Sequence, residues 1–412
     1  FVVNETVNYY LNSNSDVHII LLDASKAFDR VHYIRLFNEL QSRNLCPLLC
    51  RFLALQYTLQ RCRVKWDNSL SSSFCVTNGV KQGGVLSPIL FTIYLDCLLE
   101  KLRSSGAGCY IGNVFCGALA YADDLVLLAP TRSSMNRLLN ICEQFSEEYQ
   151  IMFNASKSKH IYMSKSRDCA DIPFELSGNG IPTTESDKHL GNIIGSNAFM
   201  KTVDSNINEL YQNVNMLLSQ FSRVNIDIKY KLFKSFCMSV YGSQLWDFES
   251  NLCNKFYTAW RKCVRRLLNL PYRTHSNLLH LICCDLPVNV QLYIRCLNFV
   301  KACNTSKMNC VNLCCKLALG GSKSALSNSI VHIRQVFQTN SLEINNIKCI
   351  AKSRESCQDQ QKAGLIRDFI RYNADMNDND VRQVIEDICV NQLVTLNVFI
   401  VTNVNINVSQ LY

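Results

Sequence analysis

No apolar run in this 412-residue chain reaches the roughly 18 residues that a membrane-spanning helix needs. The first residues carry neither a basic start nor a small-residue cleavage site, which excludes an ordinary secretory signal there. Both absences lead to the expectation of a soluble chain without a membrane partner, located inside the cell in the nucleus, the cytoplasm or both. Paired cysteine spacings are missing too. The 22 cysteines are scattered through apolar segments, and Cys283, Cys284, Cys310, Cys314, Cys315 and His332 never fall into a CxxC-and-histidine arrangement. Reduced thiols are therefore expected, with neither a disulfide scaffold nor a zinc site. Acid is in deficit: 33 Asp and Glu against 42 Lys and Arg leave a net charge of +9, which suits a polyanionic partner without demanding one. Asp375, Asp378, Asp380, Glu386 and Asp387 gather acid late in the chain, so a polyanion footprint is expected upstream of them. The Asn/Val alternation over 396–408 is compatible with a terminal strand or with unnatural read-through.

What is present begins with Tyr121-Ala122-Asp123-Asp124, two adjacent carboxylates between apolar arms. Apolar arms about a polar tip predict a hairpin, since side chains alternate faces on a strand and neighbouring acids converge only where the backbone turns. Like charges at that spacing repel, which calls for a compensating hard cation, magnesium or manganese. On the tetrapeptide alone an ordinary polar turn fits equally well. A second segment shifts the balance: His18-Ile19-Ile20-Leu21-Leu22 reads as a buried strand that delivers Asp23 at its C-terminal end, a position from which it can share a site with the hairpin acids. Three carboxylates holding two divalent ions are the arrangement that stabilises both the attacking and the leaving oxygen of a nucleotidyl transfer. Between these acids lies Asn78-Gly79-Val80-Lys81-Gln82-Gly83-Gly84-Val85-Leu86-Ser87-Pro88, in which Ser87 is expected as N-cap and Pro88 as the first residue of a buried helix.

Taken in order, LLDASKAFDRV, GVKQGGVLSPILFTIYLD and ALAYADDLVLLA resemble motifs A, B and C of a reverse transcriptase, with wording similar to the non-LTR (LINE-type) retrotransposon branch. The resemblance implies an α+β fold: a right-handed polymerase palm, an antiparallel sheet with packed helices, followed by an all-α thumb and a mostly helical C-terminal region. It implies RNA-directed DNA synthesis on a primer 3′-hydroxyl, with an RNA template, a DNA primer, deoxynucleoside triphosphates and two Mg2+ or Mn2+ ions. Asp23, Asp123 and Asp124 match the metal ligands. Phe28 matches the aromatic that excludes a ribose 2′-hydroxyl, with plain core packing as the alternative. Gln82 and Gly83 match the pair lying against template and incoming nucleotide.

Downstream, Asn154-Ala155-Ser156-Lys157 follows a predicted helix over 135–149 and resembles motif D, where Lys157 would protonate or hold the departing pyrophosphate. His189-Leu190-Gly191 resembles motif E. Helical spacing over 203–221 and 228–241 leads to Tyr241-Gly242 and Trp246, wording similar to the thumb of LINE-type enzymes. Arg261, Lys262, Arg265 and Arg266 then fall one turn apart beside Trp260, a basic helix face expected to meet nucleic-acid phosphates. Arg61, Arg63 and Lys65 alternate with Cys62, Val64 and Trp66, the mark of a strand with one basic and one apolar face, which would touch template or face water.

The expected division is a palm with a remnant of fingers over 1–195, a thumb over 196–290 and a helical region over 291–412. Because Phe1 stands only 22 residues before Asp23, the fingers and endonuclease of the family are expected to be absent from the chain, which reads as a partial or decayed retrotransposon product. A non-catalytic nucleic-acid-binding fragment or inactive relic is the alternative function.

Overall fold

The computed structural model describes residues 1–165, 173–221, 224–372 and 378–390; Asp375 and the 396–408 alternation lie outside them. The chain divides into two compact units, residues 1–198 with 306–318, and residues 199–305 with the chain from 319 onward.

The first unit is built on four strands, β1 (Val17–Leu22), β2 (Ala118–Tyr121), β3 (Asp124–Ala129) and β4 (Lys159–Met163). They run in the order β4-β1-β3-β2 with every neighbour antiparallel. β1 lies against β3 from His18↔Ala129 to Leu22↔Leu125. Successive side chains leave by opposite faces, and here both faces are covered. Ile20, Leu22, Leu125 and Leu127 pack with Leu36, Phe91, Tyr94, Leu98, Met135 and Phe145 from the helices Tyr33–Ser42, Ser87–Ser104 and Arg132–Tyr149. Val17, Ile19, Val126 and Leu128 pack on the other side with Val3 and Val7 of helix Val2–Asn12, Ile161 of β4, and Ile194. Burial on both faces explains why β1 and β3 read as nearly unbroken apolar runs and not as alternation.

Local chemistry sets the ends of these elements. The helix expected from residue 135 begins at Arg132, because Thr131 accepts a hydrogen bond from the Ser134 N–H and caps it. It stops at Gln150, which adopts φ 58°. The expected cap at Ser87 is corrected by one position: Ser87 is the first helical residue and donates its hydroxyl to the Lys81 carbonyl at 2.5 Å, so it braces the preceding loop and leaves Leu86 at the cap. That helix is buried along one side only, with Ile89 in solvent.

The expected amphipathic strand around Arg61 is instead a narrow ribbon of two-residue strands, Arg61–Cys62 with Phe74–Cys75 and Lys65–Trp66 with Ser69–Leu70. Its apolar side is uncovered.

The second unit is helical. The helix expected over 228–241 starts at Ile226, where the Asn225 side chain accepts from the Asp227 N–H, then widens into a π turn over Phe233–Cys237 and ends before Val240 and Gly242, both at positive φ. Trp246 and Trp260 are core residues, 1% and 2% exposed. The expected boundary at 290/291 falls inside the continuous helix Val288–Asn304, whose Val290, Leu292, Tyr293 and Cys296 are buried, so the chain does not part there. Helix Asn309–Leu319 supplies Cys314 to a cluster with Val2, Ile111 and Cys116 in the first unit. Cysteines among the described residues are free thiols. Among the described residues no helix is long and apolar enough to cross a membrane.

One buried polar pair ties β1 to β4. His18 Nδ1 and His160 Nε2 stand 3.1 Å apart, and His160 Nδ1 lies 3.0 Å from Thr183 Oγ1. A hydrogen bond between the rings needs one nitrogen without a proton. Burial, then the neighbouring His18 and Arg132, hold His160 down at about 4; burial and Arg132 also lower His18. Protonation therefore favours the unfolded chain, whose histidines titrate near 6.5. The contribution of this pair to stability should be complete above pH 6.5 and decline as pH falls toward 4, with His160→Gln flattening that part of the melting-temperature profile. An identical profile in the variant would remove the pair as its cause.

Candidate active site

Asp23 is the first residue after β1, and Asp124 is the first of β3. Leu22, which pairs with Leu125, is followed directly by Asp23, and Leu125 is preceded directly by Asp124, so both acids leave the same end of the sheet. Tyr121 pairs with Asp124, leaving Ala122 and Asp123 as a two-residue turn with positive φ at Ala122 alone, 52°. An alanine held in that region costs about 1–2 kcal/mol, and glycine is the residue that takes it freely. Asp123 and Asp124 are exposed and Asp23 is half-buried. All three acids thus come to one end of the sheet. Among the described residues the side chains as they stand form no group of three or more His, Cys, Asp or Glu able to hold a metal ion. The donor chemistry fits a hard divalent ion, since all three are carboxylates and two are open to solvent.

The backbone of Asp23 is held on both sides by the loop after helix Arg132–Tyr149. Its N–H donates to Ser158 Oγ at 3.1 Å, and its carbonyl accepts from the Asn154 N–H at 2.8 Å. Ser158 Oγ in turn donates to the Asn154 carbonyl at 2.7 Å, closing the loop on itself. Asn154 Oδ1 accepts from the Ser156 N–H, the Ser156 hydroxyl and the Lys157 N–H, a tight turn that presents Lys157 to solvent. Ser158 is fully buried and was missed in the sequence, where a serine between two lysines carries no signal.

A second loop closes on the turn after Asp23. Phe28 sits on the short helix Ala27–Arg30, half-buried, its ring stacked on Phe91 with centroids 4.6 Å apart. Its carbonyl accepts from the Val80 N–H at 2.8 Å, and the Val31 carbonyl accepts from the Gly79 N–H at 2.9 Å. Gly79 is required there on two counts, φ 91° and a Cβ that would meet the Asp29 backbone at 2.9 Å. Gln82 donates to Asp29 Oδ1 at 3.2 Å. Gly83 is exposed at φ 81°, with open space where a Cβ would go, so conformation and not crowding selects glycine. Asp29, quoted only as part of a motif, is the partner that orients Gln82.

Leu190 and Gly191 form the tip of the hairpin Ser186–His189/Asn192–Gly195, both at positive φ as a type I′ turn requires. Burial lowers the pKa of His189, while the charge of Asp124 pulls it the other way.

In the second unit the basic residues of helix Leu252–Leu267 divide. Arg265 donates to the Thr274 carbonyl and to Ser276 Oγ, and Arg266 to Asn215 Oδ1. Arg261 and Lys262 are left without an ion pair among the described residues. Four cations one turn apart reduce to two that a ligand meets unengaged.

Residues 3–194 match the family described as reverse transcriptase (RNA-dependent DNA polymerase). Its relatives are of the non-LTR retrotransposon kind. The chain is 35% identical over 140 residues to the retrovirus-related Pol polyprotein from type-2 retrotransposable element R2DM of Drosophila melanogaster, covering 34% of this chain and 13% of that protein. It is 32% identical over 132 residues to the Pol polyprotein of element R2 of Nasonia vitripennis, covering 32% and 13%. It is 23% identical over 285 residues to the RNA-directed DNA polymerase from mobile element jockey of Drosophila funebris, covering 65% and 30%. The chain thus spans a minor part of each relative.

Removing the Ser158 hydroxyl leaves the Asp23 N–H and Asn154 carbonyl without that partner, at a cost of about 1–3 kcal/mol. Ser158→Ala should speed hydrogen exchange of the Asp23 amide roughly 5- to 150-fold. Unchanged exchange at that amide would show that the clamp does not hold Asp23.

Proposed function

We propose that this chain carries the palm and thumb of an RNA-directed DNA polymerase of a non-LTR retrotransposon, extending a DNA primer on an RNA template. The observation that supports the reading is the β1–β3 register, in which Leu22, just before Asp23, pairs with Leu125, just after Asp124. Asp23, Asp123 and Asp124 would hold two divalent ions, which when bound supply charge stabilisation for the attacking and leaving oxygens.

The remaining residues position and select. Phe28, braced by Phe91, presents a flat apolar edge five residues after Asp23, and a ribose 2′-hydroxyl meeting it loses water without gaining a partner. Gln82, oriented by Asp29, and Gly83 offer an amide and an open stretch of backbone to template and incoming nucleotide. Lys157, held at the tip of the Asn154 turn, donates a proton to the departing pyrophosphate or holds its charge. Arg261 and Lys262 meet backbone phosphates, and Arg265 and Arg266, engaged by Thr274, Ser276 and Asn215, shape the helix end that presents them.

Primer extension with an RNA template, a DNA primer, deoxynucleotides and magnesium tests the reading. Extension should require the metal and fall roughly 100-fold or more in Asp123→Asn, as expected for losing several kcal/mol of transition-state stabilisation. Extension at the parental rate by Asp123→Asn rejects the assignment.

A further inference from the structure

The ribbon over residues 60–76 is the part of the first unit that its core leaves unexplained. Its turn is Asp67-Asn68, with Asp67 at φ 49°, and above the turn Trp66 pairs with Ser69 and Lys65 with Leu70. Val64 exchanges two bonds with Ser71, its N–H donating to Ser71 Oγ and its carbonyl accepting from the Ser71 N–H, both at 2.9 Å. Below that, Cys62 pairs with Phe74 and Arg61 with Cys75. Between Cys62 and Val64 stands one residue, Arg63, and between Ser71 and Phe74 stand two, so the ribbon contains a bulge.

A lone two-stranded ribbon is marginal in water and ordinarily hides its apolar side. This one hides neither side: Trp66 is 79% exposed, Leu70 62%, Val64 54% and Phe74 48%. Arg61, Arg63 and Lys65 are exposed as well, and among the described residues none of them has an ion-pair partner, whereas Arg43 and Lys101 do. Asp67 is the sole acid in the segment 60–76. Unpaired cations on a ribbon that also leaves an indole and a phenyl ring in solvent complement one class of polymer, an unpaired polynucleotide, whose phosphates answer the cations and whose bases stack on the rings. A protein partner would answer the apolar residues but leave the cations without acids of its own to meet unless it were acidic.

We propose that the 60–76 ribbon is a single-stranded nucleic-acid arm, with Trp66 as its stacking residue and Arg61, Arg63 and Lys65 as its phosphate contacts. The partner's identity as RNA rests on the polymerase reading. The other tryptophans, Trp246 and Trp260, are buried, so Trp66 dominates quenchable emission from the full chain. Titration with a short uridine-rich RNA, without divalent metal or deoxynucleotides, should quench that emission, and a perfect duplex should not. Trp66→Phe should abolish the quench, Trp66→Ala should weaken binding roughly 5- to 100-fold, and replacing Arg61, Arg63 and Lys65 together by Ala should lower the salt slope of binding by about 2. Single-stranded RNA that binds without quenching, Trp66→Ala binding at parental affinity, or quenching that depends on protein concentration alone and so reports a second copy, each overturns the proposal. Quenching that survives in a chain unable to extend primers would sink the polymerase reading and leave the arm standing; extension without quenching would do the reverse.

Discussion

Five antiparallel residue pairs, from His18↔Ala129 to Leu22↔Leu125, are the constraint on which the acid-bearing end of the first unit depends. Side chains on a strand have period two, so a slip of one residue in this ladder would send Ile20 and Leu22 to the face now filled by Ile19 and Val126, and would part Asp23 from Asp124. The cores on both faces of the sheet resist that slip. Ile19, Ile20, Val126 and Leu127 are all fully buried, and each contributes on the order of 1.5–3 kcal/mol by leaving water. Packing thus fixes the position of charge that packing itself could not tolerate inside.

The loops that meet at this end are joined by backbone atoms more than by side chains. Asn154 and Ser158 take both polar groups of the Asp23 peptide, and Gly79 and Val80 take the carbonyls of Val31 and Phe28. Backbone groups have obligatory partners once buried, so such bonds survive substitution of most neighbouring side chains. The acids, Lys157, Gln82 and Gly83 remain comparatively open around this rigid frame. Phe28 is half-buried and stacked on Phe91, so one side of its ring belongs to the core.

Element type and motif order were legible in the residues; ends and engagements were less so. The hairpin at Tyr121-Ala122-Asp123-Asp124 and the strand ending at Asp23 followed from apolar arms and polar tips. Ser87 at the first helical turn, and not the cap, reflects a bond to Lys81 that no pattern announces. Four basic residues on one helix looked alike until Arg265 met Thr274 and Ser276, contacts made by a turn lying beyond the helix. Helical spacing likewise ran past Cys237, where a widened turn and two residues at positive φ halt the chain.

Residue order alone determined the apolar strand that ends at Asp23 and the hairpin at Tyr121-Ala122-Asp123-Asp124, because apolar runs and polar tips are properties of a segment by itself. Only the tertiary structure decided which of the ribbon's apolar residues stay in water, that Ser158 holds the Asp23 N–H, and that Gln82 meets Asp29. Those outcomes depend on contacts between segments far apart in the chain, and burial, unlike alternation, is not a property that a segment carries by itself.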